Sequence, residues 1–235
     1  MIDTGCAHTA SELLRALAKL SVQRIVNTHT HEDHIGANGR LQGEREGLEI
    51  CAHPLALPVL AGPRKEQPLH PYRRLFWGWP KPSQGQAVSD GAVIETERYR
   101  FQVIYTPGHS QDHICLYERQ QGWLFSGDLF VGGHERALRA GCDIWQIIES
   151  LKRVADLPMT CLFPGSARVR EQPAQEIAAK ITYLEELGGK VLDLHKKGWS
   201  VSAIVRALLG GSIWVELVTL GHFSRRELAL AYLKV

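Results

Sequence analysis

Seven residues, Thr28-His29-Thr30-His31-Glu32-Asp33-His34, restrict this chain more than any others. They hold three imidazoles and two carboxylates. Imidazoles are frequent ligands of transition metals, and Asp or Glu completes or bridges such sites. Residues 22–27, just before, read as a short strand with apolar side chains at 22, 25 and 26. Residues 35–39, just after, read as a turn into a helix. The cluster therefore sits where a strand ends, a common place for ligand-binding groups in α/β sheets. Side chains alternate in an extended chain, so His29 and His31 share a side, while Asp33 and His34 follow on the turn and curl back. A solvated polar loop has no need of four ligand-type residues at H-x-H-x-D-H spacing.

Two more polar clusters follow apolar runs in the same way. Phe101, Val103 and Tyr105 alternate along residues 99–105, a strand pattern, and lead into Thr106-Pro107-Gly108-His109-Ser110. Residues 122–125 lead into Ser126-Gly127-Asp128-Leu129-Phe130. Strands ending at one edge of two packed sheets bring His109 and Asp128 toward the first cluster. Further strands are expected at 48–51, 93–94, 114–117 and 160–163. Helices are expected at 10–20, 37–42 and 54–61, and from a cap at Asp143 through 157.

Residues 62–87 break this rhythm. Pro63, Pro68, Pro71, Pro80 and Pro82 exclude a long helix or a central strand there. Within the segment, Pro71-Tyr72-Arg73-Arg74-Leu75-Phe76-Trp77-Gly78-Trp79 concentrates aromatics and arginines in a loop-like stretch. Such a composition suits a lid or pocket wall, with Tyr72, Trp77 and Trp79 as pocket candidates. A loop pinned to the surface by its aromatics accounts for it equally well.

Beyond residue 170 the pattern is helical. One helix runs from 173 to 197, with a bend expected at Gly188-Gly189, and others span 201–209 and 213–220. Ser224-x-x-Glu227 is a capping box for a last helix, with 228, 230 and 233 as its packing positions. The chain thus divides into a mixed domain, 1–170, carrying the polar clusters, and a helical subdomain, 171–235, beside the pocket.

A net charge of +2 creates no strong field, so neither nucleic acid nor an anionic membrane is indicated as a partner. No stretch approaches about 18 consecutive apolar residues, and no charged-then-apolar leader opens the chain. Five cysteines without a C-x-x-C pair fit free thiols in a reducing compartment, so the cytoplasm is expected.

As a set, His29-x-His31-x-Asp33-His34, Asp3-Thr4-Gly5, Thr106-Pro107-Gly108-His109-Ser110 and Ser126-Gly127-Asp128-Leu129-Phe130 resemble the signatures of the metallo-β-lactamase superfamily. The resemblance is to its hydrolase branch, which includes glyoxalase II and β-lactamase-like hydrolases with a helical tail. It implies an α/β fold, a four-layer αββα sandwich. Several strands usually precede the Asp-Thr-Gly turn, so the sandwich is expected to lack its first N-terminal strands. An incomplete sheet exposes an edge, which makes a homo-oligomer an expectation as well.

The resemblance also implies a ligand set. His29, His31 and His109 would form one metal site, Asp33 and His34 a second, and Asp128 would bridge them. Asp3 and His113 would brace the ligands from behind, and Asp33, free of metal, could take a proton from the attacking water. One or two zinc ions are implied, with iron as the alternative metal, and a small-molecule thioester, ester or lactone as the substrate of a zinc-bound hydroxide. Related di-iron redox proteins usually carry a carboxylate at the place of His31, so the histidine fits hydrolysis better. A mononuclear iron enzyme oxidising sulfur substrates keeps the same outer motif and stands as an alternative.

The chain departs from the family at Pro164-Gly165-Ser166-Ala167, where a ligand histidine is usual at the third position. Serine there leaves the second site short of a ligand, with His134 or His222 as replacements to look for. It also admits a non-catalytic metal-binding protein as a reading.

Overall fold

The computed structural model describes residues 1–67, 70–132, 134–165, 168–211 and 214–234. Three short parallel strands, Arg24–Val26 (β1), Glu49–Ala52 (β2) and Gln86–Ala87 (β3), form one sheet in that order. A second sheet opens as an antiparallel meander of Val93–Glu95 (β4), Arg100–Tyr105 (β5), Ile114–Glu118 (β6) and Trp123–Gly127 (β7). Leu138–Arg139 (β8) lies outside it, and Cys161–Pro164 (β9) completes it parallel to β7. Phe223–Ser224 (β10) pairs antiparallel with β8 and ties the C-terminal segment back to the residues that follow β7.

The layering follows from the two-residue period of the strands. In β6, Ile114 and Leu116 face the other sheet, while Cys115 and Tyr117 face helices. In β5, Val103 and Ile104 divide in the same way. Three apolar clusters result. One packs β1 and β2, through Ile25 and Ile50, under helices carrying Ala10, Leu41 and Leu60. One fills the space between the sheets around Val26, Cys51, Ile94, Val103 and Leu116. The third joins the outer face of the five-stranded sheet to the helices Ile144–Ala155, Pro173–Lys196, Val201–Leu208 and Arg225–Leu233. Helix, sheet, sheet and helix are therefore stacked as the four-layer sandwich that the sequence motifs imply.

Caps fix where the helices start. Asp143 accepts hydrogen bonds from the backbone N–H groups of Trp145 and Gln146, and Ser224 accepts one from Glu227. Three local expectations are corrected. The proline-rich segment is not loop-like throughout: Pro63 and Pro71 open the short helices Pro63–Glu66 and Pro71–Phe76. Proline is tolerated in a first turn because no intrahelical partner awaits its missing N–H. The long helix Pro173–Lys196 runs through Gly188-Gly189 without a break. Gly188 serves close packing instead, since a Cβ there would meet the Tyr232 ring at 2.7 Å. In the last helix Leu228 is buried and Leu233 packs partly buried against the same cluster, as expected, but Ala231 and Tyr232 rather than Leu230 complete the packed face.

Candidate metal centre

β1 delivers the sequence Asn27-Thr28-His29-Thr30-His31, and the helical turn Glu32–Ile35 follows immediately. Its neighbour in the sandwich, β5, ends just before Thr106-Pro107-Gly108-His109. β7 ends at Gly127, whose φ of +47° turns the chain so that Asp128 faces the same point. A Cβ on Gly127 would lie 2.7 Å from His113 Nε2 and 2.8 Å from the Thr28 side chain, so only glycine lets these strands close.

Ligand-type atoms of His29, His31, His109 and Asp128 lie within 4.8 Å of one another. His31 Nδ1 and His109 Nε2 approach to 3.0 Å, and His109 Nε2 stands 3.5 Å from Asp128 Oδ2. Two buried atoms of this group, His29 Nε2 and Asp128 Oδ1, have no hydrogen-bond partner. Buried polar atoms are almost always partnered, so an orphan nitrogen and an orphan carboxylate oxygen in one cluster fit a bound cation.

Hydrogen bonds behind the cluster set its protonation. The Thr28 hydroxyl donates to Asp3 Oδ2 at 2.8 Å and so has only its lone pairs to offer His29 Nδ1, 3.0 Å away. His29 therefore carries its proton on Nδ1 and turns the bare Nε2 inward. Asp3 Oδ2 also accepts from His34 Nδ1 at 2.7 Å, which leaves His34 Nε2 3.4 Å from Asp128 Oδ1. Behind Asp128, His113 Nε2 accepts from the Asp128 backbone N–H, and its Nδ1 donates to the Thr106 hydroxyl. Both ring nitrogens of His113 are thus engaged, and it faces the centre as a support.

Electrostatics point the same way. Burial holds the His29 and His31 imidazoles far below their ordinary pKa, helped by neighbouring imidazoles and, at His31, by the Arg139 charge. Burial also pushes His109 down to about 3 and His113 to about 4. Burial opposes ionisation of Asp128, but the contact with His34 and the charge of His109 outweigh it and keep the carboxyl well below the usual range. Neutral imidazoles beside an ionised carboxylate are the protonation state that a metal needs from its ligands.

Other site residues named from the sequence are spread around this centre. Asp33 is half-exposed, with Oδ2 4.0 Å from His34 Nε2, and burial raises its pKa. Tyr72 is buried in the helix Pro71–Phe76, edge-on to Trp77 at 5.7 Å, while no ring contact of Trp79 occurs among the described residues. Ser166 lies outside the described residues. Neither histidine considered as a replacement joins the cluster. His134 packs on the Tyr183 ring, and His222 stacks on His70 and hydrogen-bonds the Tyr72 hydroxyl.

Three features were not foreseen. A buried ion pair joins Glu32, inside the histidine cluster, to Arg73 of the helix Pro71–Phe76. The Gln67 side-chain amide donates to the Thr30 carbonyl. The charge of Arg139, in β8, helps to lower the His31 pKa. Glu32 and Arg73 were in view as members of their clusters, but nothing in the sequence paired them; Arg139 belongs to no motif.

Comparison with known proteins sharpens the assignment. Residues 1–166 match the family model for the metallo-beta-lactamase superfamily. The chain belongs to that superfamily. The fold agrees: a metallo-beta-lactamase family protein from Thermus thermophilus superposes with a TM-score of 0.71 at 21% identity, covering 99% of this chain and 82% of that one. Among curated superfamily relatives, an atrochrysone carboxyl ACP thioesterase of Aspergillus fumigatus is 28% identical over 77% of this chain and 51% of its own length. A hydroxyacylglutathione hydrolase of Bdellovibrio bacteriovorus is 30% identical over 67% of this chain and 53% of its own. The chain thus spans about half the length of these two relatives, one named as a thioesterase and the other as a hydrolase.

Proposed function

We propose that this chain is a metal-dependent hydrolase of small thioester, ester or lactone substrates. The observation that carries the reading is the convergence of three neutral imidazoles and Asp128 on one point, with the buried His29 Nε2 left without a hydrogen-bond partner. Thioester chemistry ranks first because one relative is named as a thioesterase and the other as a hydrolase of an acylglutathione.

His29, His31, His109 and Asp128 would hold one zinc ion. A zinc ion so bound acidifies water toward pKa ~7 and polarises a carbonyl, which lets hydrolysis proceed without a serine or cysteine nucleophile. Asp33, half-exposed beside this group, orients the attacking water and accepts its proton. Asp3 and His113 keep the ligand imidazole and carboxylate aimed inward. Asp33, His34 and Asp128 offer a second, weaker site, since Ser166 stands where the family usually supplies a histidine. We assign residues 1–170 as the metal-binding domain and 171–235 as a helical subdomain that walls the pocket, with Tyr72, Trp77 and Trp79 on the lid side. Five free thiols suit a cytoplasmic protein.

Elemental analysis and a hydrolysis screen test the proposal together. About one tightly held zinc per chain is expected from one complete ligand set, with turnover of thioesters in the screen and loss of both metal and turnover in His29→Ala and His109→Ala. Metal content unchanged in these variants would overturn the ligand assignment. Iron in place of zinc, with oxygen consumption on a sulfur substrate, would favour the dioxygenase reading. Ser166 favours a non-catalytic metal-binding protein as the competing reading; bound zinc without turnover of any thioester, ester or lactone would support it.

A further inference from the structure

The loop that carries His29 and His31 has three further polar side chains, Thr28, Thr30 and Glu32, and all are buried. Alternation along the extended stretch turns Thr28 and Thr30 away from the side that the two imidazoles share. Glu32 opens the helical turn that follows. Each of the three is held by a side chain from a different part of the chain. The Thr28 hydroxyl donates to Asp3 Oδ2 at 2.8 Å, and the Thr30 hydroxyl donates to Asp112 Oδ2 at 2.7 Å. Glu32 pairs with Arg73.

The Thr30–Asp112 bond joins two ligand-bearing segments. Asp112 is buried in the turn that leads from His109 into β6. The Ile114 N–H donates to the Thr28 carbonyl at 2.8 Å, so the side-chain bond extends a backbone pairing begun one step earlier. A buried carboxylate without hydrogen bonds is costly, which keeps Asp112 on Thr30. Across this joint His31 Nδ1 and His109 Nε2 stand 3.0 Å apart, although they belong to different segments. Ligand atoms gathered in advance spare a cation the cost of ordering them.

Arg73 fixes the same loop from the helix Pro71–Phe76. Its guanidinium and the Glu32 carboxylate are buried together, so neither can leave without stranding the other charge. The Gln67 amide, just before that helix, adds a bond to the Thr30 carbonyl. The helix is in turn anchored to the C-terminal segment, where the Tyr72 hydroxyl lies 2.5 Å from His222 Nδ1. We propose that Asp112 and Arg73 are positioning residues of the metal centre. Acting through Thr30 and Glu32, they hold the loop of His29 and His31 against the turn of His109, and so set the affinity and coordination geometry of the bound ion. The proposal rests on the ligand assignment of the hydrolase reading, and on neither substrate nor turnover.

Zinc and cobalt(II) are the probes. Zinc affinity is measured by competition with a chromophoric chelator. The visible absorption of the cobalt-loaded protein reports the number and arrangement of its ligands. Thr30→Val keeps the shape of the side chain and removes the hydroxyl. It should weaken zinc binding about 10–100-fold, the scale for losing a partner behind a ligand, and shift the cobalt bands. Thr30→Ser, which keeps the hydroxyl, should restore both. Arg73→Met combined with Glu32→Gln strands no charge, and it should also weaken zinc and alter the cobalt spectrum; this pair carries the test if Thr30→Val does not fold. A lower melting temperature with wild-type zinc affinity and cobalt spectrum would show the contacts to be structural only and would overturn the proposal. Wild-type protein that takes up neither ion would overturn the ligand assignment, and the positioning roles with it. Tight zinc in wild type and weaker zinc in the variants supports the proposal even if no thioester is turned over.

Discussion

Asp3 reaches His34 Nδ1 with one carboxylate oxygen and, through both, the backbone N–H and hydroxyl of Thr28. A single side chain therefore fixes two imidazoles, His34 directly and His29 through Thr28. Losing such a partner behind a ligand costs about 10–100-fold in metal affinity. Asp3→Asn should show that loss in a zinc-competition titration while the melting temperature of the metal-free protein moves little. Cys115 illustrates a different residue-scale effect. Burial pushes its thiol up to about 12, so the reactive thiolate is scarce at every pH below that value. Iodoacetamide at about pH 9, near the ordinary thiol pKa, should leave Cys115 unlabelled in the folded protein and label it after denaturation, whereas half-exposed Cys161 should react in the native state; peptide mass mapping reads both. The imidazole cluster was legible in the sequence because ligand chemistry demands those residue types at close spacing. Arg139 was not, since an isolated arginine gains meaning only from what the fold puts beside it.

At the level of elements, the helix Pro71–Phe76 is tied to its surroundings through two of its side chains. Arg73 enters a buried pair with Glu32, and Tyr72 bonds His222 of the C-terminal segment. Arg73 and Glu32 are each only 1% exposed, so removing the Arg73 guanidinium strands the Glu32 carboxylate. Arg73→Met should cost about 3–5 kcal/mol in denaturant unfolding, and adding Glu32→Gln should recover part of the loss. Recovery would distinguish a stranded charge from simple loss of packing. The aromatic content of this segment was readable from the sequence; its helical form was hidden because prolines that exclude a long helix also serve well as first-turn residues. The same limit applies to Gly188, whose flanking helix is continuous because Tyr232, distant in sequence and in a helix of its own, occupies the space a side chain would need.

For the whole molecule, the layering was accessible because the strand-end motifs resemble those of a known family, whereas strand order was not read from the sequence. What the C-terminal helices touch was less accessible, since amphipathic faces do not name their partners. They share one apolar cluster with the five-stranded sheet: Leu124 and Leu162 of the strands, Ile148 and Leu151 of the helix Ile144–Ala155, and Leu184, Leu228 and Tyr232 of the tail. Tyr232 is fully buried, packs edge-on to Trp145 at 5.4 Å and donates its hydroxyl to the Leu184 carbonyl. Tyr232→Ala should lower stability by about 3–5 kcal/mol, with one cooperative transition persisting in calorimetry. Two separate transitions, one for the tail and one for the sandwich, would show the cluster to be divisible. The shared core also sets the terms on which this tail could be exchanged with that of a relative. A transplanted helical segment would face a sheet surface cut for different side chains. Chimeras joined near residue 170 should then fail unless the outward residues of the β-strands and the helix Ile144–Ala155 travel with the tail as one graft.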